Sequence, residues 1–562
     1  MPLTLRMRIL SALSVLLILS SCSKTNTVGR MVPKEAGFII HFSGKSLSAK
    51  VNITEMRQSD WFKKFQEGLK SDSNQTEIMK RFTENAKNSG IDSLGDIVFF
   101  ADNSRTDTTY MVVQASIKDA GAFEKFLKNV YPQGSFNKDG AVQTMAVEDK
   151  AVISWNTEKA MFGFKSPSTN GFESYQLNDS TPKENYIPQI ASYCKNLFTM
   201  NQDKSMATED KFTDLVNTPG DIHCFVNIGK LMGSIPQMGA MSMLKMDNFI
   251  DGNISVYTMN FENGKITLRS KGYYGKEMDA VMKKYSGGTI NTAMLKNIPG
   301  NNIVGVMAMH FNPEGLKELV KMSGMDGMIN LAMARYGLSF DEFIKANKGD
   351  IMIAVTDLSV KKDTVKFPPG FGKREPIIKD KPDAKFIFSA AINDKEAFNK
   401  FISFAEKQGA ELGTDLKISF NTNKEYFAIG NSADYISSYL AGGKNDQSWM
   451  SKISGNPIGM YVDLQKIIKA MFTDTAKDSV SIRIADASVK MWDNVILSGG
   501  NYSNGGLEQV IEVNMMDKTT NSLQQLMKYT AEMTALEKQK LSVHEATRSD
   551  STIVNPLNRL EN

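Results

Sequence analysis

Lys118-Asp119-Ala120-Gly121-Ala122-Phe123-Glu124-Lys125-Phe126 recurs far along the chain as Asn393-Asp394-Lys395-Glu396-Ala397-Phe398-Asn399-Lys400-Phe401. The first copy opens an amphipathic helix over 119–130, with Phe123, Phe126 and Leu127 on its inward face. Two more matches keep the same order. Ile153-Ser154-Trp155-Asn156-Thr157-Glu158-Lys159 returns as Ile418-Ser419-Phe420-Asn421-Thr422-Asn423-Lys424, and Gly95-Asp96-Ile97 as Gly349-Asp350-Ile351. Three matches in register predict two tandem homologous halves, 30–287 and 290–535, and a repeat missed is a fold misread.

A smaller motif occurs twice in each half: an apolar strand, a capping residue, then a helix. Its strand ends are His41-Phe42-Ser43, Phe225-Val226-Asn227, His310-Phe311-Asn312 and Tyr461-Val462-Asp463. Ser43, Asn227, Asn312 and Asp463 are expected N-caps at one shared position, each accepting an unpaired N–H of the first helical turn. Pro313 suits the first helical position, where its missing N–H costs nothing. Segments 97–100 and 110–117 read as paired strands. Segments 142–147, 152–155 and 161–164 read as a meander, and 254–261 with 265–272 as a hairpin closed by Asn263-Gly264. Strands outnumber crossover helices, so each half is expected to be α+β, a largely antiparallel or mixed sheet with helices packed on it. From about Glu537 the chain loses periodicity, and 536–562 reads as a polar, frayed tail.

The halves differ by insertion. The first carries 165–208, with a helix expected over 187–200. The second carries 359–385, whose Lys361, Lys362, Phe367, Lys373 and Arg374 stand out as candidate partner-binding residues. A duplicated scaffold keeps its core and diversifies its loops. The plainer reading of 359–385 is a solvated hairpin tip.

Of 562 residues, 41% are hydrophobic and 23% charged, which is globular composition at a length for more than one folding unit. Net charge is +4 from 66 basic and 62 acidic side chains, too balanced to hold nucleic acid. Three cysteines make no disulfide framework, although Cys194 and Cys224 are both available to pair in an oxidising compartment.

Arg6 and Arg8 precede an apolar run over 9–19 that meets Leu19-Ser20-Ser21-Cys22. A charged start, a short apolar stretch and small residues before a cleavage point make a signal peptide over 1–21, too short to span ~30 Å of hydrocarbon as a helix. Leu19-Ser20-Ser21-Cys22 resembles the lipobox of bacterial lipoproteins. That resemblance implies cleavage before Cys22, a diacylglycerol on its thiol, further acyl chain (palmitate) and firm membrane anchoring. Residues 22–29 are then a tether. Ser23 in place of Asp implies an outer-membrane anchor on the periplasmic face, with surface exposure the other option. The lipobox, the strand-to-cap motif and the repeated Asn-Thr-x-Lys meander together resemble an uncharacterised lipoprotein family of the Bacteroidetes that carries a domain of unknown function. The resemblance implies a compartment and no site residues.

No catalytic motif is found. His544-Glu545 lacks a second zinc ligand, and Gly44-Lys45-Ser46 lacks the glycine of a phosphate loop, with Ile39 in its place. Ser192-x-x-Lys195 and Ser359-x-x-Lys362 lack the companion motifs of penicillin-recognising enzymes. His41 and His310 stand at equivalent strand ends. Because Phe225 and Tyr461 take the corresponding places, the position is expected to want a ring hydrogen-bonded to backbone more than a metal ligand. Methionine is abundant at 34 residues, clustered at Met232, Met238, Met241, Met243 and Met246 and again at Met322, Met325, Met328 and Met333. Such clusters serve as soft-metal (copper) ligands, as an adaptable apolar surface, or as plain core helices. The expectation is a non-enzymatic outer-membrane lipoprotein that binds an envelope protein or glycan through its inserts and the groove between its halves, without a cofactor. An envelope hydrolase or glycan-processing enzyme with scattered carboxylates is the alternative, and a soft-metal binder through Met238, Met241, Met243 and Met246 the third.

Overall fold

The computed structural model describes residues 27–51, 81, 88–105, 108–147, 151–167, 186–232, 245, 247–365, 377–412, 418–473 and 478–553. The signal peptide, Cys22, the first part of the tether (22–26) and the end of the tail lie outside the described residues, as do Phe367, Lys373, Arg374, Met238, Met241, Met243 and Met246.

The fold is α+β. Eighteen strands among the described residues form one sheet, and every pairing within it is antiparallel. They are β1 (Ala36–Phe42), β2 (Ile97–Arg105), β3 (Thr108–Ser116), β4 (Phe136–Asp139), β5 (Val142–Val147), β6 (Ala151–Trp155), β7 (Lys159–Pro167), β8 (Ile222–Asn227), β9 (Ile254–Glu262) and β10 (Lys265–Tyr273). There follow β11 (Ile303–His310), β12 (Asn347–Val365), β13 (Ile377–Ile392), β14 (Ser419–Thr422), β15 (Tyr426–Gly430), β16 (Ile458–Asp463), β17 (Trp492–Ser503) and β18 (Gly506–Met515). Read across the sheet, one side runs β4-β5-β6-β7-β3-β2-β1-β8-β9-β10. The other side runs β14-β15-β13-β12-β11-β16-β17-β18. The two paths meet where β10 pairs β18 along its whole length, from Lys265↔Asn514 to Tyr273↔Gly506.

Strand alternation sends successive residues to opposite faces, and both faces carry helices. On one face the Ile187–Phe198 and Asp210–Asn217 helices bury Ile190, Leu197, Phe212 and Leu215 against Ile39, Phe100, Val112, Val152 and Phe225. On the other, the Ala120–Val130 helix sets Phe123, Phe126 and Leu127 over Ile153 and Trp155. The second side repeats the division. Helices Thr292–Lys296 and Ala433–Leu440 cover Val306, Met352, Ile387 and Ala428, while Lys395–Leu412 packs Ala397 and Phe398 on Ile392 and Phe427. At the β9–β10 turn Gly264 takes φ +67°, and a Cβ there would meet Lys518 Cα at 2.5 Å, so only glycine fits.

Two expectations are corrected. The chain does not fray near Glu537, because a helix runs from Ser522 to Ile553. Its polar sequence hides the anchor: Ala531 and Leu536 are buried, Tyr529 packs edge-on against Trp492, and the Tyr529 hydroxyl shares a 2.9 Å hydrogen bond with Ser488. Nor is the second methionine cluster a core helix. The Asp326–Ala334 helix has no fully buried residue, and Met328 is 53% exposed.

Candidate functional site

The side chains that convergence brings together lie at one end of β1 and β8. His41 faces His223 directly across the ladder, and the two rings stack 5.2 Å apart at an interplanar angle of 10°. Both are buried, at 4% and 2% exposure, with Nδ1 facing Nδ1 at 3.0 Å. The proton positions follow from the partners. His223 Nε2 lies 2.9 Å from the Thr218 carbonyl, which can only accept, so this nitrogen carries hydrogen. Neutral His223 then presents a lone pair at Nδ1, and His41 Nδ1–H donates to it. His41 Nε2 faces Asp96 Oδ2 at 3.5 Å and makes no closer hydrogen bond, so a proton there would face a carboxylate.

The surroundings fix this geometry. Asp96 Oδ1 accepts the Gly44 N–H at 3.1 Å. Burial pushes the Asp96 carboxyl up, but the hydrogen bond and charge of His41 and the Gly44 N–H outweigh it and hold the group below the ordinary carboxylate range. Burial likewise pushes His223 below the ordinary imidazole value, and the charge of His41 adds to this against the Thr218 carbonyl and the carboxylates of Asp221 and Asp96. Asp221, with no exposed side-chain surface, accepts from Ser46 Oγ at 2.6 Å, from the Phe261 N–H at 2.6 Å and from Lys50 Nζ. It clasps the Gly44–Lys50 helix to the start of β8. Beside the corner, Lys159 Nζ donates to Ser116 Oγ at 2.9 Å, and burial lowers the lysine's proton affinity despite Asp96 nearby.

The second side has a simpler corner. His310 Nδ1–H donates to Asp350 Oδ1 at 2.7 Å, and the His310 ring is 26% exposed. The expectation that His41 and His310 share one position is corrected by the ladders. Counting from Asp96 and Asp350, Val98 and Met352 stand two residues on; His41 faces Val98, and Ala308 faces Met352. His310 faces Asp350 itself, two residues further along the strand. A backbone bond confirms the count: Ser43 N–H donates to the Asp221 carbonyl at 2.9 Å, and His310 N–H donates to the Pro457 carbonyl at 2.7 Å. His310 therefore stands in the place of Ser43. The expected backbone partner exists only for His223; His41 and His310 bind side chains. Ser43, Asn227, Asn312 and Asp463 each accept a backbone N–H of the following helix, although the same count places Asn312 two residues beyond Ser43.

The second insert forms an arm. Beyond Thr356 and Ile387, β12 and β13 pair only with each other, so 357–365 with 377–386 is a two-stranded ribbon roughly 30 Å long at ~3.3 Å per residue. Its root is set by Asp357 at φ +54°, a ladder irregularity between Thr356 and Ser359, and a buried 3.0 Å hydrogen bond from Thr356 Oγ1 to the Tyr435 hydroxyl. Lys361 and Lys362 lie on this arm. Lys361 stands opposite Lys381, and each lysine reaches a diagonal acid: Lys361 to Asp383 at 2.6 Å and Lys381 to Asp363 at 3.4 Å. The described part of the arm therefore offers a patterned charge surface, with Lys361 and Lys381 each tied to an acid.

Other candidates resolve plainly. Cys194 and Cys224 are free thiols, pushed by burial up to about 12 and about 11. Lys195 is paired with Asp139, and Ser359 Oγ donates to the Asp383 carbonyl at 3.5 Å, so neither Ser-x-x-Lys motif is a dyad. A half-buried serine–lysine contact does exist at Ser116 and Lys159, far apart in sequence, and no short motif flags it. Among the described residues no three His, Cys, Asp or Glu side chains converge on a cation site, and no helix is long and apolar enough to cross a membrane. The seam between the two sides holds a cavity of ≈ 310 Å³ lined by Lys265, Lys452, Lys518, Asp493, Asn494 and Asn514. Lys265 and Lys518 there are paired with Glu512 and Asp493.

The family described as a domain of unknown function (DUF4836) matches residues 29–368. No curated protein matches the chain. Solved structures of TP0453 in crystal forms I, IV and III are 10%, 8% and 7% identical to it. They cover 44%, 47% and 47% of this chain and 78%, 86% and 88% of their own, with TM-scores of 0.22, 0.25 and 0.24.

Proposed function

The chain belongs to the family of the domain of unknown function DUF4836, and from that premise we propose that it is a non-enzymatic binding protein of the bacterial cell envelope. It is a Bacteroidetes-type lipoprotein held by acyl chains on Cys22, most simply in the outer membrane facing the periplasm, and its two sheet sides descend from one duplicated unit. The shared strand path supports the duplication. The single observation that carries the binding role is the arm of 357–365 and 377–386, a stiffly rooted ribbon whose described residues 361–364 and 378–382 are exposed. Long loops on rigid scaffolds are where binding concentrates. Its paired lysines and aspartates suit an envelope protein with a complementary charge pattern.

In-cell crosslinking and pull-down compare wild type with a 359–385 deletion. A partner recovered with wild type and lost with the deletion supports the reading; recovery of nothing by either form overturns it. Cys22→Ser tests the anchor, with loss of palmitate label and release from the membrane fraction expected. A hydrolytic reading has one observation in its favour, the hydrogen-bonded Ser116–Lys159 pair, and it predicts a turnover that Ser116→Ala abolishes.

A further inference from the structure

We propose that the His41–His223 pair is an acid-operated latch: entry of a second proton into the two imidazoles parts the ends of β1 and β8 and releases the Gly44–Lys50 helix. The argument is geometric. With one shared hydrogen the Nδ1–Nδ1 contact at 3.0 Å is a bond. A hydrogen at His41 Nε2 would face Asp96 and leave the Nδ1 bond intact. The next proton has only His223 Nδ1 left to occupy. It would set N–H against N–H at 3.0 Å between two stacked, buried cations, an arrangement that burial alone makes expensive. The pair therefore titrates as a unit that tolerates one positive charge and rejects two.

Opening at this point has a defined consequence because of chain order. The Gly44–Lys50 helix follows β1 directly, and Asp221 precedes β8 directly. Separating the two strand ends pulls the Ser43 N–H from the Asp221 carbonyl, and Ser46 and Lys50 from the Asp221 carboxylate. The charged groups acting on the pair are Asp96 from the turn before β2 and Asp221 from the turn before β8, backed by Lys159 from β7 and Lys50 from the helix respectively. Burial holds His223 unprotonated in the folded state, consistent with rejection of the second charge. Above the ordinary imidazole value near 6.5 the closed corner keeps its full stability; as pH falls from there toward the depressed folded value, that stability is lost.

The test is hydrogen–deuterium exchange on the full chain between pH 7.5 and 4.5, corrected for the intrinsic pH dependence of exchange, over peptides spanning 36–50 and 219–227. In wild type, protection should fall about tenfold per pH unit below an onset, as an opening linked to one proton requires. His223→Gln keeps a donor toward Thr218 without the titration, and should abolish the fall. His310→Gln should change nothing in these peptides. Wild-type protection that persists to pH 4.5 overturns the proposal, and so does a fall in His223→Gln equal to that of wild type. Should His223→Gln fail to fold, a wild-type loss of protection that is equal in peptides remote from this corner overturns the proposal alone.

Discussion

In the first corner a histidine is walled in by a second histidine, with an aspartate at its back; in the second, a lone histidine leans on an aspartate with a quarter of its ring in solvent. The strand paths around the two are the same, and the aspartates answer one another. What differs is where the histidine sits on its strand, two residues further out in β11 than in β1. A step of two leaves every side chain on its own face, so the core is undisturbed while the polar chemistry at the strand end is rewritten. At the place of Asp221 the second side has Pro457, and with it no carboxylate clasp. Two matching strand paths thus carry sites of different character through a small displacement along one strand.

The strongest way to break the contrast is to remove the clasp. Asp221→Ala leaves Lys50, Ser46 and the Phe261 N–H without their common acceptor, and should destabilise the first corner by about 3–5 kcal/mol in urea unfolding. Next comes the wall of the second corner. Gly288 takes φ +82°, and a Cβ there would lie 2.2 Å from His310 Cδ2, so Gly288→Ala should cost about 1–3 kcal/mol and displace the His310 ring, visible in its imidazole chemical shifts. The linkage of His223 is smaller. Unfolding free energy should fall with pH below about 6.5 by at most ~1.4 kcal/mol per unit from this group, and His223→Gln should remove that slope. The smallest effect belongs to the arm, where Lys361→Ala breaks an exposed ion pair and should change stability by less than ~0.5 kcal/mol. A larger loss would mean that the arm's charges hold the fold together, and that they are not free to meet a partner.

Much of the fold was legible. The Asn263-Gly264 turn, the buried face of Phe123, Phe126 and Leu127 and the antiparallel strands follow from local periodicity and turn chemistry. The insert at 359–385 read as a hairpin tip, and ladder pairs carry it outward as one. The candidate site was not legible, for three physical reasons. His41 and His223 are 182 residues apart and meet only because β1 and β8 become neighbours. The offset of His310 is invisible to a period-two pattern, since inside and outside are conserved by a shift of two. The Ser522–Ile553 helix has no apolar stripe to announce it and is held by a few side chains such as Tyr529 and Leu536.

The seam between β10 and β18 carries a consequence for anyone who divides this protein. Ile266 and Leu268 sit beside Val513 and Ile511 in the middle of a continuous sheet, and Lys265 reaches Glu512 across the boundary. A fragment ending before Ile290 or starting there would expose a nine-residue strand whose backbone donors and acceptors have lost their mates. Such a bare border, with Ile266, Leu268, Ile511 and Val513 at its centre, is a template for pairing with itself. Isolated halves should accordingly form back-to-back dimers or fibrous aggregates, and mixing the two fragments should dissolve them by restoring the proper neighbour.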